Sequence, residues 1–370
     1  MERVLILGGA GRIGRSVAAD LVAHTQAEVV ITGRHPPLGA QIATSLGPTV
    51  QFLALDLADH EGLRTAIASA SLVIHCAGPF HYRDANVLKT CIQEKVNYLD
   101  VSDHPSFTLK ALACHSAAAA AGVTAVVNTG IFPGISNSMV RQDVEALDRA
   151  DHIHLSYVVA GSGGAGITVM RTTFLGLQHP FKVWFEGQWR QVKPYSDPEV
   201  IQFPAPYGKA HVYWFDMPEA FTLPKAFPVK SVITKFGSVP DFYNSITWAL
   251  AHWLPERWLQ NPGVIEFLAW GSHNTTKVTD RFSGIGVAIR SEVRGEKDGT
   301  PARACSTLVQ PDTAIAAGYG TASIAQLILT GQLHKPGVWP VEEVLPTELF
   351  NQEMAVRNVK IEQTLQELSV

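Results

Sequence analysis

The chain has 370 residues, of which 46% are hydrophobic and 17% charged, and its formal net charge is −4. This length predicts two domains with sizeable cores, and the charge gives no reason to expect nucleic acid or an anionic membrane surface as a partner. No stretch approaches the roughly 18 apolar residues of a membrane span, and the four cysteines lack the CxxC spacing of a zinc site. Met1-Glu2-Arg3 lead directly into the first predicted strand, so we expect no targeting peptide and a cytoplasmic location.

The first predicted strand, Val4–Leu7, leads into a glycine-rich turn and an amphipathic helix. The turn has the Gly-x-Gly-x-x-Gly spacing that dinucleotide-binding folds use for a tight turn and a close approach to the pyrophosphate. The amides at the start of the following helix favour a negatively charged phosphate. The predicted cofactor-binding residues in this turn are Gly9, Gly11, Arg12, Ile13 and Gly14.

The end of the second predicted strand, Glu28–Thr32, indicates which cofactor is bound. NAD-binding folds place an acid about 20 residues beyond the glycine motif, on the ribose 2′-hydroxyl. This chain has Arg34 instead, and a guanidinium pairs well with a 2′-phosphate. Arg12 is expected to reach the same phosphate. The alternative is that both arginines are solvated loop residues, but the pattern favours NADP(H) over NAD(H).

Strands and helices alternate through the first third of the chain, which predicts a parallel, doubly wound α/β sheet of the Rossmann type. Further strands are predicted at 50–55, 72–76, 97–101 and 123–128, and helices at 60–70, 85–94 and 106–121, with Gly122 capping the last. Ligands bind at the carboxyl ends of such strands. The residues that follow those ends are Asp56, Ala77, Gly78, Pro79, Phe80, Asp103, His104, Gly130 and Phe132.

A second glycine-rich loop, Gly161–Gly166, follows a predicted strand at 154–159 and precedes a predicted helix through Arg171. Its amides would receive a carboxylate or phosphate, with the guanidinium nearby. This interpretation makes Gly163, Gly164 and Arg171 substrate-binding residues. The alternative is that the glycines only permit a tight turn and close packing.

The remainder predicts a mixed second domain. Short alternating runs at 181–236 and a strand at 286–294 indicate an antiparallel sheet. A helix at 313–329 capped by Gly331, a Pro/Gly segment at 336–340 and a helical tail from Glu348 are expected. The stretch Phe242–Leu259 contains three tryptophans; we expect a helix buried in the second domain or at a dimer interface, and no membrane association.

Several motifs occur along the chain: GGAGRIG near the N-terminus, HCAGPF at 75–80, YLDVSD at 98–103, GIFPGISN at 130–137 and the segment 327–343. Taken together they resemble the saccharopine dehydrogenase-like family of NADP-dependent oxidoreductases. The resemblance implies a Rossmann domain at 1–135, a mixed α/β domain for substrate binding and dimer contacts at 136–310, and a segment at 311–370 that returns to the Rossmann domain. It also implies that Gly78-Pro79-Phe80 lies against the nicotinamide half of the cofactor. The YLDVSD motif ends in Asp103 where the family commonly has glutamate.

The catalytic candidates are few because the cofactor carries most of the chemistry and one proton donor is sufficient. Asp103, His104 and Tyr98 are the candidates, with His81 less well placed. Their alternatives are a helix cap for Asp103, a plain loop residue for His104 and strand packing for Tyr98.

Three functions are compatible with this pattern. The first is an NADP(H)-dependent oxidoreductase that acts on an imine, ketone or activated double bond of a small molecule. The second is a non-catalytic sensor of NADP(H), and the third is an assembly protein that uses the second domain as an interaction surface. A homodimer is the expected assembly.

Overall fold

The fold is described from a computed structural model, which covers residues 2–162 and 167–368. The chain forms two compact units. The first contains Met1–Ile135 and Ala314–Arg357, and the second contains Ser136–Thr313 and Asn358–Val370.

The elements follow one another along the chain with short connections. Those of the N-terminal part are β1 (Arg3–Leu7), α1 (Arg12–His24), β2 (Glu28–Gly33), α2 (Pro36–Leu46), β3 (Val50–Ala54), α3 (His60–Ala68), β4 (Leu72–His75), a 3-10 turn (Phe80–Tyr82), α4 (Asn86–Glu94), β5 (Asn97–Asp100), α5 (Pro105–Leu112), α6 (His115–Ala121), β6 (Thr124–Val127), α7 (Ile135–Glu145) and β7 (Arg149–Ala160). Those of the remainder are α8 (Ile167–Leu175), β8 (Phe181–Phe185), β9 (Gln188–Val192), β10 (Glu199–Gln202), β11 (Lys209–Trp214), α9 (Glu219–Ala226), β12 (Ser231–Val239), α10 (Phe242–Trp253), α11 (Glu256–Leu259), α12 (Pro262–Ser283), β13 (Val287–Lys297), β14 (Thr300–Gln310), α13 (Thr313–Leu329), β15 (Gly337–Pro340), α14 (Val341–Val344), α15 (Thr347–Val356) and β16 (Ile361–Glu367).

The first unit is built on a parallel sheet in the order β15-β6-β5-β4-β1-β2-β3. Apart from β15, this is the strand order of dinucleotide-binding folds, so the predicted Rossmann architecture is confirmed. Strands β1, β4 and β6 consist almost entirely of buried apolar side chains, as expected when helices cover both faces of a sheet. The carboxyl ends of the six N-terminal strands therefore share one edge.

Two helical details differ from the sequence expectation. The helix predicted over 106–121 is two helices, α5 and α6, because the amide of Cys114 bonds back to the carbonyl of Ala111 in a tight turn. Helix α2 was not predicted, although Pro36 at its first position is a common start signal. Gly122 ends α6 in the left-handed conformation, with φ 73°, as predicted.

The second unit contains a mixed sheet in the order β10-β11-β12-β7-β13-β14-β16 and a separate hairpin of β8 and β9. Strand β12 runs parallel to β7, and the other neighbours are antiparallel. The predicted mixed α/β character of this region is confirmed. Buried Asp143 of α7 accepts hydrogen bonds from the amide and hydroxyl of Ser306 on β14 and from Gln363 on β16, which holds the helix to the sheet.

The C-terminal part of the chain divides between the two units. Helix α13 and the segment through α15 belong to the first unit, where β15 extends the parallel sheet beside β6. The tail beyond this segment was expected to be helical and to stay with the Rossmann domain. Instead β16 pairs with β14 of the second sheet, because the edge of β14 otherwise leaves a row of backbone groups without partners.

The tryptophans of α10 and α11 are not buried within the second unit. Trp253 is 76% exposed and Trp258 52% exposed, and Phe267 and Trp270 of α12 are also exposed. The expectation of a helix buried in the second domain is therefore wrong for these side chains. Among residues 2–162 and 167–368, no helix is both long and apolar enough to cross a membrane.

Candidate functional site

The glycine turn after β1 is packed so closely that side chains do not fit at two of its motif positions. A Cβ on Gly9 would lie 2.6 Å from the Cβ of Ile31, and one on Gly14 would lie 2.6 Å from the carbonyl oxygen of Gly8. Helix α1 begins after Gly11, and no side chain caps its first amides. The turn therefore presents backbone donors and a bare surface, which fits the pyrophosphate of a dinucleotide.

The end of β2 holds the glycine turn and carries the arginine expected to select the cofactor. The hydroxyl of buried Thr32 accepts a hydrogen bond from the amide of Gly8 at 3.1 Å, and its carbonyl accepts one from Ala10 at 3.2 Å. Arg34 follows this strand and is exposed, as is Arg12 at the start of α1. Asp56, after β3, accepts a bond from the amide of Ala58 at 3.0 Å. All of these residues lie at one edge of the first sheet.

The segment after β4 lies beside the glycine turn. Ala77 packs against Gly8, since a Cβ added to Gly8 would lie 2.9 Å from the Cα of Ala77. Gly78 and Pro79 are partly exposed at this edge, but Phe80 is buried, and its ring lies 4.9 Å from that of Phe107 in the core. Among the predicted cofactor-binding residues 77–80, Phe80 therefore has its ring in the core, and only its backbone is placed to contact a cofactor.

Two histidines meet where β4 and β5 end. His81 Nδ1 lies 3.0 Å from His104 Nε2, and His104 Nδ1 lies 3.0 Å from the hydroxyl of Ser106. Burial, followed by the nearby His81 and Lys110, lowers the pKa of His104 to about 4, so its imidazole is neutral at neutral pH. Asp103 is partly buried beside it. Helix α5 begins with His104 at the N-cap position, so Asp103 is one residue outside the place that a capping role requires.

Tyr98 is fully buried in the core of the first unit, unlike the other catalytic candidates. Its hydroxyl lies 3.2 Å from Nδ1 of His75, which is also fully buried. Burial raises the pKa of Tyr98 well above its usual value and lowers that of His75 to about 3, so both groups are neutral. This burial favours the alternative that Tyr98 packs the strand.

Below the same edge, a buried polar network ties the ends of β5 and β6 together. The carboxylate of Asp100 accepts hydrogen bonds from the amides of Ser102 and Asn128, each at 3.0 Å. The side-chain amide of Asn128 donates to the carbonyl and hydroxyl of Ser102 and to the hydroxyl of Thr108. Asn128 has φ 61°, so its hydrogen bonds hold it in the left-handed region that few residues adopt. The network fixes the loops that carry His104 and Gly130.

The turn at 130–134 is built by close backbone contacts. A Cβ on Gly134 would lie 2.1 Å from the carbonyl oxygen of Gly130, and one on Gly320 of α13 would lie 2.4 Å from the same atom. Gly130 is buried, whereas Phe132 is partly exposed. Of the two predicted substrate-binding residues here, Phe132 is the one with accessible surface.

In the second unit, the predicted substrate residue Arg171 has an acidic partner. Its guanidinium binds Glu266 of α12 through two hydrogen bonds, of 2.5 and 2.7 Å. Arg171 would have to leave this pair to bind a substrate anion. Gly163 and Gly164 lie outside the described residues. The described part of the chain contains no group of three or more metal-ligating side chains.

Comparison with known proteins finds similarity in the N-terminal part of the first unit. Residues 4–126 match the family model described as the saccharopine dehydrogenase NADP-binding domain. A probable mitochondrial saccharopine dehydrogenase-like oxidoreductase of Arabidopsis thaliana is 26% identical over 28% of this chain, and a saccharopine dehydrogenase-like oxidoreductase of Homo sapiens is 30% identical over 23%. Residues 4–126 are therefore similar to a saccharopine dehydrogenase NADP-binding domain. The family resemblance and the NADP cofactor predicted from the sequence are confirmed.

The matched stretch spans only 26% of the Arabidopsis protein and 20% of the human protein. Structural similarity extends further. Saccharopine dehydrogenase (L-Glu forming) from Saccharomyces cerevisiae has a TM-score of 0.73 at 16% identity, covering 99% of this chain and 100% of that chain. A C. glutamicum DAP dehydrogenase has a TM-score of 0.50 at 15% identity, covering 97% and 99%. At these identities the likeness shows the fold alone.

Some residues around the NADP-binding domain's cofactor edge were not singled out from the sequence. Gly8 has φ 74° and packs against Ala77, and the Gly8-Gly9 pair was the available signal. No sequence motif indicates the bond from Gly8 to Thr32 or the contact between Asp100 and Asn128. The importance of His81 is not visible in the sequence, because its partner His104 lies 23 residues further along the chain.

Proposed function

We propose that the protein is an NADP(H)-dependent oxidoreductase that transfers a hydride to or from a carbon atom of a small molecule. The substrate classes that fit are an imine, a ketone or an activated double bond and their reduced forms. The observation that supports this is the His81–His104 pair, which lies in the loops that follow β4 and β5 at the same sheet edge as the glycine turn. Bound NADP(H) supplies or accepts the hydride.

The glycine turn orients the cofactor along this edge. The amides at the start of α1 face the pyrophosphate, and Arg34, with Arg12, provides positive charge toward the 2′-phosphate. Asp56, Ala77, Gly78 and the backbone at Pro79 and Phe80 complete the proposed cofactor surface.

His104 is the proposed proton-transfer residue. Because the imidazole of His104 is neutral, its Nε2 accepts a proton from the substrate's hydroxyl or amine, which takes the place of His81 at that nitrogen, as the hydride leaves in the oxidising direction. In the reducing direction the same nitrogen returns the proton. After the product leaves, His81 returns to Nε2 of His104 and takes the proton on, while the Ser106 hydroxyl fixes the other ring nitrogen, Nδ1.

We also propose a substrate surface at the same edge. Phe132 and the backbone at Gly130 lie at the same edge of the first unit, and Asp103 adds a carboxylate beside His104. Gly163, Gly164 and Arg171, the substrate and dimer roles of residues 136–310, and a cytoplasmic location stay predictions.

The test is a turnover screen with NADPH and NADP⁺ against ketones, imines, activated alkenes and the corresponding alcohols and amines. With a substrate in hand, His104→Gln is expected to slow turnover by about 10²–10⁴-fold, the usual contribution of a positioned acid or base, while NADPH affinity is unchanged. The matched control is His60→Gln, at an exposed position at the start of α3. A His104→Gln rate equal to that of the wild type would refute the proton-transfer role. Tight NADPH binding without turnover of any of these classes would favour a non-catalytic NADP(H)-binding protein.

A further inference from the structure

Arg83 is anchored beside the glycine turn although the glycine motif does not include it. It follows the 3-10 turn after β4, is partly buried, and its Nε donates a hydrogen bond to the carbonyl of Ala77 at 2.9 Å. Ala77 in turn packs against Gly8, the first residue of the turn. The guanidinium is therefore held at the cofactor edge by the backbone, which leaves its terminal nitrogens available.

The charges around Arg83 are unusual for a partly buried arginine. Within the described residues, neither Arg83 nor Arg34 forms an ion pair with a carboxylate. Burial and then the like charge of Arg34 lower the pKa of Arg83, while the carboxylates of Asp56 and Asp84 oppose the shift. Gly8 contacts both Ala77, which holds Arg83, and Thr32, two residues before Arg34, so the segments that carry the two arginines meet at the glycine turn. An anion bound by both cations would relieve their repulsion.

We propose that Arg83 and Arg34 together bind the 2′-phosphate of NADP(H), with Arg83 as a second residue that determines cofactor specificity. The inference rests on the proposed role of Arg34. Arg34 is exposed. By itself, an exposed and flexible guanidinium contributes little to phosphate binding, because water competes for the phosphate and the side chain must be ordered. Arg83 is already ordered by its bond to Ala77, so less entropy is lost when it binds a phosphate.

The position of Arg83 favours the 2′-phosphate over the pyrophosphate. Its electrostatic neighbours, Arg34 and Asp56, follow β2 and β3. That side of the sheet is where dinucleotide folds place the adenosine ribose. The pyrophosphate has its own donors in the amides at the start of α1, which no side chain caps.

The test measures binding of NADPH and NADH to the full chain by isothermal titration calorimetry, without substrate. Arg83→Gln is expected to weaken NADPH binding by about tenfold to a hundredfold and NADH binding by less than about twofold, since one charge-assisted contact is lost. The salt dependence of NADPH affinity should also become shallower, because one cation fewer meets the phosphate. Arg64→Gln, at a surface pair with Glu94 in the same unit, is the control and should change neither affinity.

The outcomes separate this inference from the proposed function. An equal loss for both cofactors would overturn it in favour of a pyrophosphate contact, and an unchanged NADPH affinity would overturn it outright. If Arg83→Gln does not fold, Arg83→Lys keeps the charge but loses the planar fork. A partial loss confined to NADPH then supports the inference, and an unchanged preference overturns it. Equal affinities in the wild type would refute the role of Arg34 as well, whereas failure of the turnover screen would leave this result intact.

Discussion

Replacing Arg357 by methionine is expected to destabilise the first unit strongly. Its side chain is fully buried, and it binds both carboxylate oxygens of Asp20 on α1 at 2.7–3.1 Å, Gln326 on α13 at 3.0 Å, and Glu353 on α15. This arginine therefore fastens the C-terminal return of the chain to the helix that follows the glycine turn. Removing it leaves two carboxylates without their cation, and breaking a buried pair in this way typically costs about 3–5 kcal/mol.

The measurement is urea denaturation followed by circular dichroism, at neutral pH and near pH 4. Burial already raises the pKa of Asp20, and loss of Arg357 raises it further. The folded variant therefore takes up a proton as the pH falls, and its deficit in unfolding free energy should be smaller at the lower pH. Arg64→Gln, at an exposed ion pair, is the control and should cost about 0–1 kcal/mol. A loss below about 1 kcal/mol for Arg357→Met, or one that does not depend on pH, would refute this account.

Further substitutions test the glycine turn and the second sheet. Gly14→Ala places a Cβ 2.6 Å from backbone atoms of Gly8 and Gly9. NADPH affinity should fall about tenfold or more by titration, since such overlap costs about 1–3 kcal/mol. Gly271→Ala meets nothing within 4 Å in α12 and should instead add about 0.5–1 kcal/mol of stability with cofactor binding unchanged. Burial raises the pKa of Asp143 from 3.8 to about 6. Between these two pH values the folded wild type keeps a proton on Asp143, whereas the unfolded chain has released it. Its unfolding free energy relative to Asp143→Asn should therefore fall by about 3 kcal/mol as the pH rises through that window, and a constant difference would contradict the assignment.

The sequence by itself determined the architecture of the first unit. The run from Val4 to Leu21, the alternation of apolar strands with helices, and Arg34 in place of an acid are local patterns, and each element's type follows from its own residues. Helix α13 with Gly331 beyond its end was predicted for the same reason. The edge of the sheet where the cofactor residues gather also followed, because parallel strands share one carboxyl edge.

The tertiary structure alone decided which side chains at that edge are available. A strand covered by helices on both faces is apolar throughout, so the sequence does not distinguish buried Tyr98 from an accessible residue. The contact between His81 and His104 and the bond from Arg83 to Ala77 depend on how separate loops fold over the strand ends. The sequence did not indicate the pairing of β16 with β14 either, because a short exposed strand forms only when the edge of a strand distant in the chain supplies its hydrogen bonds.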